Sequence, residues 1–185
     1  MIEVRWHGRG GQGVVTSSEL LARAALLEGK YVQHFPEFGP ERRGAPVRAF
    51  TRISNEPIEI HTGIYTPDIV VVIDPTLLTR IDMILEGIKK GGTIVINAKR
   101  VPDKLASAAK DLDLNLYYVD AYTIAINIFK RPFYNTPMLG ACVKATGLVK
   151  LDSVIKVTES KFKAEIAEKN IIAIKKAYEE VKRYE

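Results

Sequence analysis

Short apolar or alternating segments and longer amphipathic segments follow one another along the first two thirds of the chain. Residues 2–6 alternate apolar and polar side chains, which predicts a short strand. Residues 14–28 carry apolar side chains at helical spacing, with hydroxyl residues in the first turn and Gly29 at the end, which predicts a helix. Residues 31–35 predict a second strand.

The middle of the chain predicts a sheet. Residues 47–53 alternate in polarity, which indicates a strand with one face in water. Residues 69–73 form a continuous β-branched run, which is typical of a strand covered on both faces. Further elements are predicted over residues 76–86 (helix), 93–97 (strand), 104–110 (helix) and 116–119 (strand). Because strands alternate with helices, the sequence predicts a parallel, layered α/β sheet.

The last third of the chain is predicted to be helical. Residues 151–169 and 170–184 place Glu/Lys-rich faces opposite stripes of Ile, Ala, Phe and Tyr, which predicts a pair of amphipathic helices. The length of 185 residues fits a single domain over residues 1–185. We expect a sheet core over residues 1–120 and a helical part over residues 121–185.

Composition and charge exclude several classes of protein. Apolar residues make up 46% of the chain and charged residues 26%, a balance that excludes a disordered or fibrous protein. The single cysteine, Cys142, excludes a disulfide framework, a cysteine-based zinc site and a self-contained iron–sulfur cluster. Any redox centre that the protein serves must therefore lie on another chain. A net charge of +5 does not by itself indicate a nucleic-acid partner.

The sequence also predicts no membrane or export segment. Glu3 and Arg5 interrupt any apolar stretch near the N-terminus, and the longest central apolar run, residues 69–73, is far too short to cross a bilayer. We expect a soluble, cytoplasmic protein with no membrane partner.

A glycine-rich loop lies between the first predicted strand and the first predicted helix. The segment Gly8-Arg9-Gly10-Gly11-Gln12-Gly13 fits the pattern G-x-G-x-x-G. Such glycines allow close backbone approach, and a helix N-terminus offers unpaired N–H groups with partial positive charge. The loop could hold a phosphate-bearing ligand or a dinucleotide, or it could pack against another element. A dinucleotide requires an acidic residue at the end of the second strand, whereas Glu37 falls beyond Pro36 in a loop.

A second loop, residues 35–46, holds three prolines and the pair Arg42-Arg43. Prolines restrict the backbone, and adjacent arginines can hold a carboxylate or phosphate by bidentate hydrogen bonds. In the alternative interpretation the loop is solvated and its arginines pair with Glu37 and Glu41. Because long ordered loops are usually functional, we expect a functional surface here.

Candidate catalytic groups do not form a recognisable constellation. The three histidines are scattered and do not have metal-ligand spacing. Cys142 lies in an apolar helical stretch, which predicts a buried, inert thiol. Asp74 and Asp120 end predicted strands, where the ligands of α/β proteins often bind, but each is more simply a helix cap or a turn former. We therefore expect no catalytic residue and no metal ligand on this chain.

Two N-terminal blocks carry a family resemblance. Residues 5–13 (RWHGRGGQG) followed by residues 38–53 (FGPERRGAPVRAFTRI) resemble the gamma subunit of 2-oxoacid:ferredoxin oxidoreductases, most closely that of the pyruvate enzyme, pyruvate synthase. Residues 135–141 (NTPMLGA) and 168–170 (EKN) look similar to the same family. The resemblance covers essentially the whole chain.

The resemblance implies a Rossmann-like fold, with a mostly parallel layered sheet and C-terminal helices, in a complex with alpha, beta and delta subunits. That complex oxidatively decarboxylates pyruvate with coenzyme A to acetyl-CoA, carbon dioxide and reduced ferredoxin. Thiamine diphosphate and Mg²⁺ belong to its alpha and beta chains, and [4Fe-4S] clusters to its beta and delta chains. The gamma chain binds no cofactor alone and meets ferredoxin only through the complex.

The resemblance also implies a surface that either cradles coenzyme A phosphates or packs against the alpha chain. Its candidate residues are Arg9, Gly10, Gly11, Gln12, Gly13, Arg42 and Arg43. Other interpretations stay open: the gamma subunit of a branched-chain 2-oxoacid (2-oxoisovalerate) ferredoxin oxidoreductase, a stand-alone NAD-dependent oxidoreductase, or a nucleotide-sensing regulatory module.

Overall fold

The computed structural model describes residues 1–37 and 44–185 as a sheet with helices on both faces. Its strands are β1 (Ile2–Arg9), β2 (Tyr31–Glu37), β3 (Pro46–Ser54), β4 (Ile69–Val72), β5 (Thr93–Asn97), β6 (Asn115–Val119) and β7 (Lys182–Arg183). Its α-helices are α1 (Val14–Leu27), α2 (Ile81–Leu85), α3 (Asp103–Asp111), α4 (Ala121–Phe129), α5 (Asn135–Thr146), α6 (Leu151–Lys161) and α7 (Ala164–Glu180), and a 3₁₀ helix covers Pro75–Thr79.

The sheet has a parallel centre and antiparallel edges. Its strand order is β2-β3-β1-β4-β5-β6-β7. Strands β1, β4, β5 and β6 pair in parallel, whereas β3 runs antiparallel to β1, β2 antiparallel to β3, and β7 antiparallel to β6. The predicted α/β class with C-terminal helices is confirmed. Strand β7 lies within the segment that was predicted to be helical.

The two faces of the sheet carry separate cores, as the strand register requires. Trp6 lies opposite Ala49 on β3 and Val71 on β4, and this face packs against α1, α5, α6 and α7 in the main core. Val70 and Val72 point to the other face and join the smaller core under α2 and α3. Because the β4–β5–β6 half of the sheet is covered on both sides, its strands are continuous apolar runs.

The prediction that one face of β3 is exposed to water is wrong. Phe50 and Arg52 are buried, although their alternation with apolar neighbours indicated solvent. Strand β3 lies inside the sheet, with α1 on one face and the segment after Ser54 folded over the other. The Arg52 guanidinium is compensated there, because its Nε lies 2.8 Å from Glu3 Oε1. Arg52, which the alternating pattern placed on the water-exposed face, is therefore part of a buried ion pair.

Three predicted boundaries are also wrong. The helix over residues 76–86 is instead a 3₁₀ helix followed by α2, and β1 continues to Arg9. The last two helices separate at Phe162 and Lys163, which have extended backbones, rather than at residues 169–170. No glycine or proline marks this break. The half-buried Phe162 packs against the main core, which favours the extended conformation through tertiary contacts.

Helix α5 runs through the main core. Eight of its twelve residues are buried, including Cys142, and burial raises the pKa of that thiol to about 12. The prediction of a buried, inert thiol is confirmed. Within residues 1–37 and 44–185, no helix is long and apolar enough to cross a membrane.

Helices α5 and α7 approach each other closely at Gly140. A Cβ built on Gly140 would lie 2.2 Å from the backbone oxygen of Ile174. This backbone cannot move aside as a flexible side chain could, so the two helices depend on the missing side chain.

We predict that Gly140→Ala destabilises the chain by about 1–3 kcal/mol through overpacking of α5 against α7. Urea unfolding followed by circular dichroism measures the effect. The control Ala164→Ser, at an exposed position of α7, should change stability by less than about 0.5 kcal/mol. Equal stability of Gly140→Ala and wild type would contradict the close contact.

A buried pair of basic side chains occupies β1 on the smaller-core face. His7 and Arg5 are each 1% exposed, and Arg5 Nε donates to His7 Nε2 over 2.9 Å. Burial first, then the charges of Arg5 and Arg48, lower the pKa of His7 from 6.5 to about 3. His7 is therefore a neutral acceptor that fixes the Arg5 guanidinium.

This pKa makes folding sensitive to acid. Between pH 6.5 and about 3 the unfolded chain binds a proton at His7 and the folded chain does not, so the free energy of unfolding falls as pH falls. At pH 5 the proton bound at His7 in the unfolded chain lowers the free energy of unfolding by about 2 kcal/mol relative to neutral pH. We predict that His7→Gln, which keeps an acceptor for Arg5, loses less stability between pH 7.5 and 5 than wild type in urea titrations. His61→Gln, at an exposed position, should keep the wild-type pH dependence.

Candidate functional site

The glycine loop lies where the strand order changes direction. From β1 the chain passes through α1 to β2 and β3 on one side, and then crosses to β4 on the other. Residues 10–13 follow the carboxyl end of β1, beside Asp74 after the parallel β4. Such a switch point is the usual ligand site of an open α/β sheet.

A nearly buried carboxylate holds the loop in place. Asp74 Oδ1 accepts from the Thr76 amide at 2.7 Å, and Oδ2 accepts from Gln12 Nε2. Gln12 Oε1 in turn accepts from the Arg9 amide at 2.7 Å. The side chain of Gln12 thereby ties both the start of the loop and the end of β4 to one conformation. The prediction that Asp74 caps a helix is confirmed, as is that for Asp120, which accepts from the Thr123 amide.

Arg9 is directed toward the same carboxylate. Its Nε lies 3.0 Å from Thr76 Oγ1 and 3.7 Å from Asp74 Oδ2, and its Nη1 donates to the Gly44 carbonyl at 3.1 Å. The guanidinium thus binds the outer side of the loop rather than its cavity. Gly10 also has backbone partners, because its N–H donates to the Ala45 carbonyl at 2.9 Å.

The strand direction next to β1 argues against a dinucleotide. In a dinucleotide fold, the acidic residue that binds the ribose lies at the carboxyl end of the strand that follows the first helix, and that strand lies parallel beside β1. Here that neighbour is β3, which runs antiparallel and places its first residue, Pro46, opposite Arg9. Glu37 ends β2 one strand further away and pairs with Arg48, with Nε and Oε2 2.7 Å apart. On this side of β1, the described residues therefore provide no acidic residue at the carboxyl end of a parallel neighbour.

The N-terminus of α1 has no side-chain cap. Gly13 is the cap residue, with φ of 77° in the left-handed region, and the first helical hydrogen bond runs from the Ser17 amide to its carbonyl. The N–H groups at the start of α1, before Ser17, therefore have no hydrogen-bond partner within the helix. A side chain at Gly13 is also excluded by contact, since its Cβ would lie 2.5 Å from Asn135 Nδ2.

The N-terminus of α1 borders a cavity of about 420 Å³. Its walls come from the glycine loop, the first turn of α1, the connection from α4 to α5, and the segment from Phe162 into α7. The lining residues are Gly11, Gln12, Gly13, Thr16, Phe129, Arg131, Phe133, Asn135, Phe162, Ile166, Lys169 and Asn170.

The lining combines two kinds of chemistry. Arg131 and Lys169 add side-chain positive charge to the partial charge of the α1 N-terminus. Phe129, Phe133 and Phe162 supply an aromatic wall, and Phe133 is 43% exposed. The cavity can therefore bind a ligand that has both an anionic group and an apolar portion.

A buried polar contact supports the far wall of the cavity. Thr136 Oγ1 donates to Asn170 Oδ1 at 2.7 Å, and Asn170 Nδ2 donates to the Ile166 carbonyl at 2.8 Å. These bonds fix α7 against the start of α5. Tyr134, just before α5, has its pKa raised by burial, then by Asp74 and Tyr122, so its hydroxyl stays neutral.

The predicted site residues have different positions in the structure. Gly11, Gln12 and Gly13 line the cavity, while Arg9 and Gly10 form the outer side of the loop. Arg42 and Arg43 lie outside the described residues. Gly44, which follows them, donates from its N–H to the Gly10 carbonyl at 3.3 Å.

Sequence reasoning missed Asp74 as the anchor of the loop and did not include Arg131 in the site. It did single out residues 135–141 and 168–170 as similar to a family. Asn135, Lys169 and Asn170 from these blocks all line the cavity. Residues far apart in the sequence therefore surround one cavity.

No group of three or more His, Cys, Asp or Glu side chains that could hold a metal ion occurs within residues 1–37 and 44–185. Cys142 is fully buried, and burial raises the pKa of its thiol to about 12, so the thiol is not activated as a nucleophile. The described residues therefore offer hydrogen-bond donors, cations and aromatic surface, but not the ligands of an iron–sulfur cluster.

Comparison with known proteins identifies relatives of the same length. A family model described as pyruvate ferredoxin/flavodoxin oxidoreductase matches residues 3–180. The pyruvate/ketoisovalerate oxidoreductases common subunit gamma of Pyrococcus furiosus is 51% identical over 185 residues and covers 100% of both chains. Pyruvate synthase subunit PorC of Methanothermobacter thermautotrophicus is 46% identical over 183 residues, covering 99% of this chain and 97% of the relative.

Solved structures of known proteins share this fold. The crystal structure of pyruvate oxidoreductase subunit PORC from Thermotoga maritima superposes with a TM-score of 0.86 at 42% identity, covering 100% of this chain and 98% of that one. A 2-oxoglutarate:ferredoxin oxidoreductase from Magnetococcus marinus, solved with 2-oxoglutarate, coenzyme A and succinyl-CoA bound, shares the fold at a TM-score of 0.76 and 21% identity over 30% of its chain. The family resemblance of the sequence is confirmed: the chain belongs to the pyruvate ferredoxin/flavodoxin oxidoreductase family and, within it, to the gamma-subunit type.

Proposed function

We propose that this gamma subunit serves a pyruvate:ferredoxin oxidoreductase (pyruvate synthase) and that its glycine-loop cavity receives the phosphate-bearing part of coenzyme A. In this proposal it assembles with alpha, beta and delta subunits. The complex converts pyruvate and coenzyme A to acetyl-CoA and carbon dioxide and passes the electrons to ferredoxin. Relatives named for pyruvate, at 46–51% identity over their whole length, support this assignment.

A second candidate substrate is a branched-chain 2-oxo acid such as 2-oxoisovalerate. The Pyrococcus furiosus and Thermococcus litoralis relatives carry both pyruvate and ketoisovalerate in their names, as a common subunit. Purification of the native complex, followed by assay of each 2-oxo acid with coenzyme A and a viologen acceptor, distinguishes the two candidates. A complex that reduces viologen with 2-oxoisovalerate and not with pyruvate would overturn the first.

The chemistry of bond cleavage and electron transfer is assigned to the partner chains. Thiamine diphosphate, Mg²⁺ and the [4Fe-4S] clusters need carboxylate, carbonyl or thiolate ligand sets. The described residues hold one cysteine, which is buried, and no cluster of potential metal ligands. The contribution of this chain is then to bind and orient a substrate and to complete the assembly.

The observation that carries the coenzyme A proposal is the convergence of three features on one cavity. The uncapped N-terminus of α1 supplies N–H donors, Arg131 and Lys169 supply charge, and three phenylalanines supply apolar surface. Coenzyme A has phosphates at one end and a long, mostly uncharged arm, so it presents the complementary pair of chemistries. Phosphate binding at a helix N-terminus combines direct hydrogen bonds with the helix dipole.

The anchoring by Asp74 adds preorganisation. Because Gln12 and the Arg9 amide are already bonded, the loop conformation does not have to be ordered when a ligand arrives. The site therefore loses little conformational entropy on binding. A stand-alone dehydrogenase or nucleotide sensor would instead require the ribose contact that the antiparallel β3 does not provide.

We predict that Arg131→Gln and Lys169→Gln each raise the KM for coenzyme A about tenfold, because each removes a charge-assisted contact to phosphate. The kcat and the KM for pyruvate should stay near wild type in the assembled complex. Steady-state assay of the purified complex measures all three. Lys175→Gln, an exposed lysine of α7 that does not line the cavity, is the matched control. Unchanged KM for coenzyme A in both variants would contradict the proposal.

We predict that replacing Arg42 and Arg43 together with alanine raises the KM for coenzyme A while the complex stays assembled. Adjacent arginines favour bidentate contacts to phosphate. Gel filtration of the complex and steady-state assay are done on the same preparation. Loss of the complex with an unchanged KM would instead assign this pair to docking against the alpha chain.

A further inference from the structure

Among the helices of residues 1–37 and 44–185, none covers one part of a sheet face. On the face opposite α1, the helices α2 and α3 pack over β4, β5 and β6, whereas the β1–β3–β2 half is covered by residues 55–66, which contain neither helix nor strand. A second cavity of about 420 Å³ opens there. Its lining includes Arg5, Arg48, Glu86 and the aromatic residues Phe35, Phe50 and Tyr65.

Arg5 is a buried cation whose side-chain hydrogen bonds go to neutral acceptors. It is 1% exposed, and its Nη2 donates to the carbonyls of Ile84 and Glu86 at 2.9 and 2.6 Å, while its Nε donates to His7. Among the described residues Arg5 forms no salt bridge, and the hydrogen bonds of its guanidinium run from Nε and Nη2. Burial and then the charge of Arg48 lower the pKa of Arg5 to about 10, although the carboxylates of Glu86 and Glu37 act in the opposite direction, so Arg5 remains charged at neutral pH.

The same sheet face provides an internal comparison. Arg52 is equally buried at 1% exposure, yet it forms an ion pair with Glu3 at 2.8 Å. Buried charges are normally compensated in this way, because moving an unpaired charge from water into the protein interior costs free energy. Of the two buried arginines on this face, Arg52 is therefore paired with a carboxylate of the described residues and Arg5 is not.

The carboxylates on the rim are already engaged with another cation. Glu37 Oε2 lies 2.7 Å from Arg48 Nε, and Glu86 Oε2 lies 3.6 Å from Arg48 Nη1. Arg48 is thus neutralised, and Arg5 is the group in this cavity whose charge is not matched by a contacting carboxylate. The two carboxylates and the two guanidiniums of the lining balance in number, so a negatively charged group of a ligand would have to contact Arg5 itself.

The cavity walls are held by backbone contacts. Arg52 Nη2 donates to the Gly63 carbonyl at 3.2 Å, which fixes the segment that leads to Tyr65. At Gly87, with φ of 67°, a Cβ would lie 2.0 Å from the Tyr65 carbonyl oxygen, so the turn after α2 presses directly on this segment. Tyr65 itself is 76% exposed and lies beside this cavity.

We propose that this cavity is a docking site for an aspartate or glutamate side chain of another subunit of the complex. The carboxylate binds the Arg5 guanidinium, and Tyr65 packs against the backbone that carries it. Arginine and tyrosine are the residues that most often anchor protein interfaces, and a guanidinium matches a carboxylate in geometry and charge. The proposal rests on the assignment of this chain to a multi-subunit complex, and it concerns the sheet face opposite to α1.

We predict that a photo-crosslinking residue, p-benzoylphenylalanine, in place of Tyr65 forms a covalent adduct with a sister subunit when the assembled complex is irradiated. Mass spectrometry should identify a peptide that contains Asp or Glu. Changing that acid to Asn or Gln should weaken the association of this chain with the complex at least about tenfold, as for a buried interfacial charge pair. Tyr65→Ser should weaken association without a change in urea midpoint, since the ring is exposed in the isolated chain.

Arg5→Gln completes a double-mutant cycle with the partner acid. The two single changes and the double change should weaken association to a similar extent, because each removes the same contact. If Arg5→Gln does not fold, Tyr65→Ser and the partner variant carry the test. Full additivity in the cycle would overturn the proposal.

Other outcomes separate this proposal from the proposed function. An active complex in which the residue at position 65 forms no adduct with any subunit overturns the docking site and leaves the coenzyme A assignment standing. If acetate or succinate binds the isolated chain in an Arg5-dependent manner and Tyr65 stays uncovered in the complex, the cavity takes a free carboxylate and the docking proposal is wrong. Failure of the wild-type chain to associate with larger subunits overturns both.

Discussion

The carboxylate of Asp74 is the contact on which the functional end of the sheet depends. It lies at the carboxyl end of β4, and through Gln12 it fixes the loop that follows β1. These two strands are the pair at which the chain changes direction, so one side chain connects the two halves of the α/β unit. A loop of glycines has many accessible conformations, and a buried, fully bonded acceptor reduces them to one. The N-terminus of α1 and the cavity beside it take their geometry from this contact.

Positive charge is distributed unequally over the two faces of the sheet. On the α1 side, Arg131 and Lys169 line the cavity, and both are exposed. On the opposite side, Arg5 and Arg52 are buried within the sheet face, and Arg52 is paired with Glu3. Because burial determines the cost of leaving a charge unpaired, the exposed cations of one face tolerate the loss of a partner far better than the buried arginines of the other face.

The fold also explains why a glycine motif of dinucleotide type does not imply a dinucleotide. The motif specifies a tight turn between a strand and a helix, which is a local property of a few residues. Selectivity for a ribose depends on the neighbouring strand, and here the hairpin β2–β3 inserts an antiparallel strand beside β1. The cavity is completed instead by the connection from α4 to α5 and by α7, which contribute the exposed side chains of Phe133 and Ile166. An aromatic wall against a helix N-terminus suits a phosphate attached to a long, weakly polar arm.

The sequence by itself determined the class of the fold and the place of the glycine loop. The β-branched run at residues 69–73, the helical spacing after Gly13 and the blocks that resemble the family are local patterns, and local patterns report which face of an element is apolar. Their interpretation was correct for β4, β5, β6, α1, α3 and the burial of Cys142.

Only the tertiary structure decided the strand order, the partners of the polar residues and the composition of the cavity. The alternation in β3 indicated water because a charged residue in a pattern carries no record of a partner 49 positions away, as Glu3 is from Arg52. The break after α6 has no glycine or proline, and the half-buried Phe162 there packs against the main core. Arg131, Asn135 and Lys169 meet the glycine loop through the packing of α5 on α7, a long-range contact that no spacing within one segment encodes.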